Sequence, residues 1–315
     1  MTAPVTRISA LLTLGLGLVC GIIGPVRLTQ AAFAQAVFDG SAPAASSQGT
    51  AVTACAQDFP EARPPELSVP APMQHNLFLC NTDFAVLVSG VTHEPVWVAE
   101  HLTRDEIRHA QHQLRQGKFH EETRQPEDER AHLADYQKSG FDRGHMMPSG
   151  DAPSRASQQE TFSLANMVPQ TPDLNRGLWA GVEKRVRELA LSDGEAYVVT
   201  GPAYRTASPA RIGASGLPVP TSTWKAVYLP SRQAVSVYVC KNTLSPSCTQ
   251  VPVATLIRVT GVDPFPALPA AMRESMTHLP DPQAEPYHVS PQLRRLTLRV
   301  LKHFLNEMLS GSSPL

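Results

Sequence analysis

The chain has 315 residues, of which 42% are hydrophobic and 17% charged, with 27 basic against 28 acidic side chains and a formal net charge of −1. That balance excludes a chain that binds polyanions through overall charge, so any basic surface must be local. Its length admits one large core or two small ones, and no internal repeat is evident.

The elements are predicted in chain order. Arg7, an apolar run over 8–24 and the small-x-small triplet Ala32-Phe33-Ala34 read as a secretory signal peptide over 1–34, with a retained membrane anchor as the competing reading. Its cleavage would remove Arg7 and Arg27 and no acid, leaving a formal charge of about −3. A periplasmic or secreted protein without a stable membrane partner is then expected. Cys20 would leave with the signal. The four remaining cysteines allow three pairings. Chain order suggests Cys55–Cys80 and Cys240–Cys248, and an oxidising compartment permits both. Neither spacing is the close Cys-x-x-Cys of a structural zinc site.

Residues 35–64, rich in Ala, Ser, Pro and Gln, read as a flexible lead-in to a single domain over 65–315, with Cys55 pinning the later part. Residues 84–103 predict a hairpin around Thr92-His93-Glu94, and 104–116 a short helix. Residues 120–136 are acidic and read as a solvated excursion. A helix is expected from 171, with Pro172 and Asp173 in its first turn and Gly194 closing it. Strands follow at 195–204, 223–230 and 233–242, and 255–265 reads as a further strand and turn. Residues 290–309 predict an amphipathic C-terminal helix with Ser290 as cap and Pro291 at its start. Strands punctuated by helices make the class α+β, with a central, mostly antiparallel sheet.

The stretch FDRGHMMPSGD, residues 141–151, brings Asp142, Arg143 and His145 close together. A lone histidine beside an arginine carries little information. The helix that follows adds a second cluster. At about 100° per residue, Asn175, Glu183 and Arg187 form a polar ridge beside an apolar stripe of Leu178, Val182, Val186 and Leu189. Those three could share a cleft. On spacing alone an ordinary reading stands beside this one: Asn175 as a helix cap, and Glu183 with Arg187 as a surface ion pair.

Taken together, FDRGHMMPSGD at 141–151 and LANMVPQTPDLNRGLW at 164–179 resemble the DNA/RNA non-specific endonuclease family. The likeness runs in register through Glu183 and Arg187, and more loosely through VVTGPAY at 198–204 and VPTSTWKAVY at 219–228. It spans roughly residues 75–270. The resemblance implies a ββα-metal (His-Me finger) nuclease core set on a larger sheet. It implies His145 as general base and Asn175 as the direct protein ligand of one divalent ion. By the same resemblance Asn166 helps position the base or the substrate, Glu183 holds a water of the ion, Arg187 meets the phosphate, and Arg143 stands beside the base. An earlier phosphate-contacting arginine matches Arg115, in LRQGKF, only loosely. Met147 and Ala165 depart from the family's usual small residue and serine, at positions that carry no chemistry. The implied cofactor is Mg²⁺, with Mn²⁺ able to substitute. The implied partners are DNA and RNA, cleaved to 5′-phosphate products, and a homodimer is compatible with the resemblance.

These residue types suit phosphodiester hydrolysis. A neutral imidazole can take a proton from water near neutral pH. One Asn plus waters is compatible with Mg²⁺ and weak for zinc. Arg187 and Arg143 place positive charge where the phosphate gains negative charge. Asp142 could orient the loop or the ring. Basic residues on both helices, Arg176, Lys184, Arg185 and Arg187 on one and Arg294, Arg295, Arg299 and Lys302 on the other, would flank a groove or form solvated faces. No base-reading module is present, and phosphate contacts specify no sequence. The competing readings are a catalytically inactive nucleic-acid-binding homologue, a nuclease toxin, and a phosphodiesterase for small substrates. The full set His145, Asn175, Glu183 and Arg187 argues against the first, because a binder needs no base.

Overall fold

The computed structural model describes residues 54–68 and 75–286. The expected signal peptide over 1–34 and the expected helix over 290–309 lie outside them. Along the chain come β1 (Asn76–Cys80), β2 (Ala85–Ser89), β3 (Pro95–Thr103) and α1 (Arg104–Ala110). Next are β4 (Asp142–His145), α2 (Arg155–Glu160) and β5 (Met167–Gln170). A π-helical turn, Leu174–Trp179, runs into α3 (Ala180–Asp193). The chain continues through β6 (Glu195–Ala203), β7 (Ser222–Leu229), β8 (Ala234–Lys241), β9 (Cys248–Val251) and α4 (Val253–Thr260).

Seven strands form one sheet in the order β9-β8-β7-β6-β3-β2-β1, every neighbouring pair antiparallel. Alternation sorts their side chains between two cores. Val86, Val88 and Val98 pack with Trp179, Val182 and Val186 of the helix on one face. Leu87, Trp97 and Val199 pack with Phe59, Val253 and Leu256 on the other. With both faces covered, inner strands such as β2 (AVLVS) are buried throughout, which is why they read as near-continuous apolar runs.

Three expectations change. Helix α1 opens with a Thr103/Glu106 capping box but ends at Ala110, short of 116. Leu114 is 75% exposed, so no apolar face carries the helix further. Residues 255–265 are not a strand with a turn: 253–260 are helical, and only Val262–Asp263 are extended. Val253 and Leu256 bury one helical face, and Gly261 at φ 74° closes the helix onto the Ile257 carbonyl. Burial of that face overrides the β-branched composition. The flexible lead-in also ends before 64. Phe59 is buried, its ring 6.1 Å from that of Trp97, and Cys55 is bonded to Cys80.

The second disulfide joins Cys240 to Cys248, which face each other across β8 and β9. In the acidic excursion, Glu121 pairs with His132 and Glu122 with Arg124, while Glu129 reaches His75, just before β1.

Candidate active site

Strands β4 and β5 pair outside the large sheet, with His145 opposite Met167 and Asp142 opposite Gln170. The π turn and α3 follow directly, so the DRGH strand, its partner and the helix make a strand–strand–helix unit. The glycine of DRGH is needed for space: a Cβ on Gly144 would lie 2.2 Å from Gln170 Oε1. The wider π turn, a form often found at functional sites, replaces ideal α geometry between Leu174 and Trp179. At its end the Trp179 indole N–H donates to the His145 carbonyl at 3.1 Å.

His145 is 6% exposed, and its imidazole packs edge to face against Phe162, with ring centroids 5.1 Å apart. Phe119 flanks it at 5.7 Å. Its Nε2 has no hydrogen-bond partner among the described residues. Burial, with the Arg115 cation adding to it, pushes the pKa of His145 down to about 3. The ring is therefore neutral at physiological pH. Asn166 lies beneath and is fully buried. Its Oδ1 accepts from Met147 N at 2.8 Å, and its Nδ2 donates to the carbonyls of Met147 and Thr161. These bonds consume its amide in holding the segment just after His145.

A cleft of about 600 Å³ opens over this unit, and Arg115, Arg143, His145, Asn175, Glu183 and Arg187 all line it. Asn175 donates through Nδ2 to Asp142 at 2.9 Å, and Arg176 grips the same carboxylate through two bonds of 2.7 and 2.6 Å. Asp142 thus orients the helix start and not the ring. Arg187 pairs with the buried Asp151 at 2.6 Å, and not with Glu183 as the surface-pair reading required. Glu183 has its pKa pushed up to about 7, mainly by burial, against the opposing pull of Arg187 and Lys225. Arg115, freed by the early end of α1, reaches Ser149 Oγ at 2.9 Å and lies over the Phe162 ring. Arg143 donates to the Leu133 carbonyl while its guanidinium stacks between Phe119 and Tyr136.

The structure therefore gathers six of the seven expected site residues in one cleft and puts the seventh, Asn166, behind it. Sequence reasoning missed Asp151, Trp179 and Lys225 as supports. Asp151 closes the quoted motif, and Lys225 stands as a charge inside an apolar strand pattern, which was the signal available for each. Bonding of Asn175 Nδ2 to Asp142 leaves its Oδ1 as the atom offered to the cleft. Among the described residues no group of three or more His, Cys, Asp or Glu could hold an ion. One amide oxygen with one nearby carboxylate fits a hard cation that keeps most of its waters.

A family described as DNA/RNA non-specific endonuclease matches residues 66–271. The Danio rerio protein named "Nuclease EXOG, mitochondrial" is 36% identical over 208 residues, 58% of this chain and 59% of that protein, so the chain spans less than two thirds of it. The "Mitochondrial nuclease" of Saccharomyces cerevisiae is 30% identical over 220 residues, 62% of this chain and 67% of that protein. The crystal structure of the EndoG/EndoGI complex aligns with a TM-score of 0.55 at 27% identity, covering 60% of this chain and 87% of that one. Both sequence relatives are mitochondrial by name. That finding overturns the periplasmic or secreted location expected from residues 1–34.

Proposed function

The chain belongs to the DNA/RNA non-specific endonuclease family, and from that premise we propose that it is a divalent-metal-dependent endonuclease. It hydrolyses phosphodiester bonds in DNA and RNA with little sequence specificity, leaving 5′ phosphates. The observation that carries this reading is the single cleft lined by His145, Asn175, Glu183, Arg187, Arg143 and Arg115.

His145 acts as general base. Burial keeps it unprotonated, as a base must be before it takes a proton from water. The negative charge of a phosphodiester in the cleft opposes the Arg115 cation and raises the imidazole's basicity when substrate is present. Arg187, held by Asp151, presents a fixed positive charge to the phosphate. Arg143 and Arg115 add two more beside the ring. Asn166 keeps the backbone after His145 in place. Asn175, through its amide oxygen, and Glu183, through an intervening water, would hold the ion. Mg²⁺ fits this donor set and Mn²⁺ can replace it. A bound ion would supply positive charge to the phosphate oxygens as the ester bond breaks.

The test is digestion of supercoiled plasmid and of structured RNA by wild type and His145→Ala, each with Mg²⁺ and with EDTA. Both substrates should be cut by wild type with Mg²⁺ only. His145→Ala should lose roughly 10²- to 10⁴-fold in rate while remaining folded. Cleavage by folded His145→Ala at the wild-type rate would refute the reading.

A further inference from the structure

Lys225 is the one lysine that is buried among the described residues, with no exposed surface. It lies on β7 and shares the face of Val227 and Leu229, the face that bears α3. Its strand neighbour across β6 is Thr200. Nζ donates to Thr200 Oγ1 at 2.7 Å and to the Met146 carbonyl at 3.1 Å. Glu100, also buried, faces it with Oε1 at 3.5 Å. The ammonium sits 5.7 Å from the centre of the Trp179 ring.

Met146 follows the proposed base, and the peptide groups around it are held by Trp179 and Asn166. The His145 carbonyl takes Trp179, the Met146 N–H goes to the Asn166 carbonyl, and Met147 N–H and carbonyl are bound by the Asn166 side chain. The Met146 carbonyl is the remaining acceptor, and Lys225 fills it from the central sheet. A buried ammonium is costly, and a well-packed apolar side chain often stabilises a fold as well or better. What an apolar chain cannot supply is a donor to that carbonyl.

We propose that Lys225 is a positioning residue for phosphodiester hydrolysis, fixing the end of β4 that presents His145 by holding the Met146 carbonyl. The inference rests on the reading of His145 as base. Glu100 lies 3.5 Å from Nζ, its pKa held well above the usual carboxylate range by burial while Lys225 pulls it down. The effect is on the aim of the imidazole and not on substrate contact, because Lys225 does not line the cleft. Displacements of about 1 Å in such a group can cost on the order of 10²-fold.

The experiment compares wild type, Lys225→Met, His145→Ala and the double variant His145→Ala/Lys225→Met on supercoiled plasmid with Mg²⁺, with thermal melts alongside. Lys225→Met should lose about 10- to 100-fold in kcat, with KM for DNA changed by less than about twofold. The double variant should be no slower than His145→Ala, since Lys225 acts through the ring. If Lys225→Met does not fold, Glu100→Gln/Lys225→Met removes the whole buried pair and takes its place with the same expectation. Full kcat in the folded variant, a loss confined to KM, or losses that multiply in the double variant would each overturn the proposal. Wild-type activity in His145→Ala would overturn the hydrolytic reading itself. A crippled His145→Ala beside a fully active Lys225→Met would overturn only the role of Lys225.

Discussion

The indole Nε1 of Trp179 donates to the carbonyl oxygen of His145 at 3.1 Å. This bond ties the helical segment that carries Asn175, Glu183 and Arg187 to the strand end that carries the imidazole. Trp179→Phe removes the donor while keeping an aromatic ring in the core. The unsatisfied carbonyl, with lost packing added, should cost about 1–3 kcal/mol in urea unfolding. The rate on plasmid DNA should fall by about tenfold or more as the two halves of the site lose registry. Unchanged stability together with unchanged rate would mean that the bond does not couple them.

Asn175 and Glu183 should separate in metal titrations of the rate. In Asn175→Ala, Asp142 keeps both bonds from Arg176, so the fold should survive while apparent metal affinity and rate both drop. Asn175→Asp sets a second carboxylate against Asp142 and should lower the melting temperature. A helix-cap role predicts the opposite, a tolerated Asp. Glu183→Gln should lose roughly 10- to 100-fold, and excess Mg²⁺ should recover part of it. Folded Asn175→Ala with wild-type metal affinity would remove Asn175 from the site.

Asp151 is buried and, among the described residues, its one ion pair is with Arg187. Asp151→Ala leaves a half-buried guanidinium unpaired. Breaking such a pair should cost about 3 kcal/mol in urea unfolding. Activity should fall as well, because Arg187 is no longer aimed at the cleft. A destabilised enzyme with full specific activity would show that the pair supports the fold alone.

The depressed pKa of His145 makes a prediction about acid stability. The unfolded ring titrates near 6.5 and the folded one at about 3. Between those values the unfolded chain binds more protons, so this group lowers stability as pH falls from about 6.5 toward 3, and the loss levels off below that. Its full size should be on the order of a few kcal/mol. Urea unfolding of wild type and His145→Phe at pH 7, 5 and 4 isolates this contribution from the carboxylates. The difference between the two proteins should move in favour of the variant as pH drops. A pH-independent difference would contradict the buried, neutral state.

Much of the fold was legible because its signals are local. Apolar runs at 85–89, 195–203, 222–229 and 234–241 are strands in the structure, and the helix from 171 ends at Gly194 as expected. Where local signals conflicted, tertiary burial decided. The segment 253–260 carries β-branched residues but buries Val253 and Leu256 on one helical face, and α1 stopped where its apolar face ran out.

For the site, residue types and spacing by themselves determined the candidates: DRGH, and the ridge Asn175, Glu183, Arg187. The two could be joined in sequence only by likeness to a family, because spacing leaves a cap and a surface ion pair equally open. Tertiary structure decided the partners. Arg187 chose Asp151, 36 residues away, over Glu183 four residues away. Asn175 turned to Asp142, and Lys225 reached Met146 across 79 residues. The physical reason is that a buried charge or amide must find a partner once water is excluded. Which partner it finds depends on how the sheet, the β4–β5 pair and α3 pack, and no local stretch of residues encodes that packing.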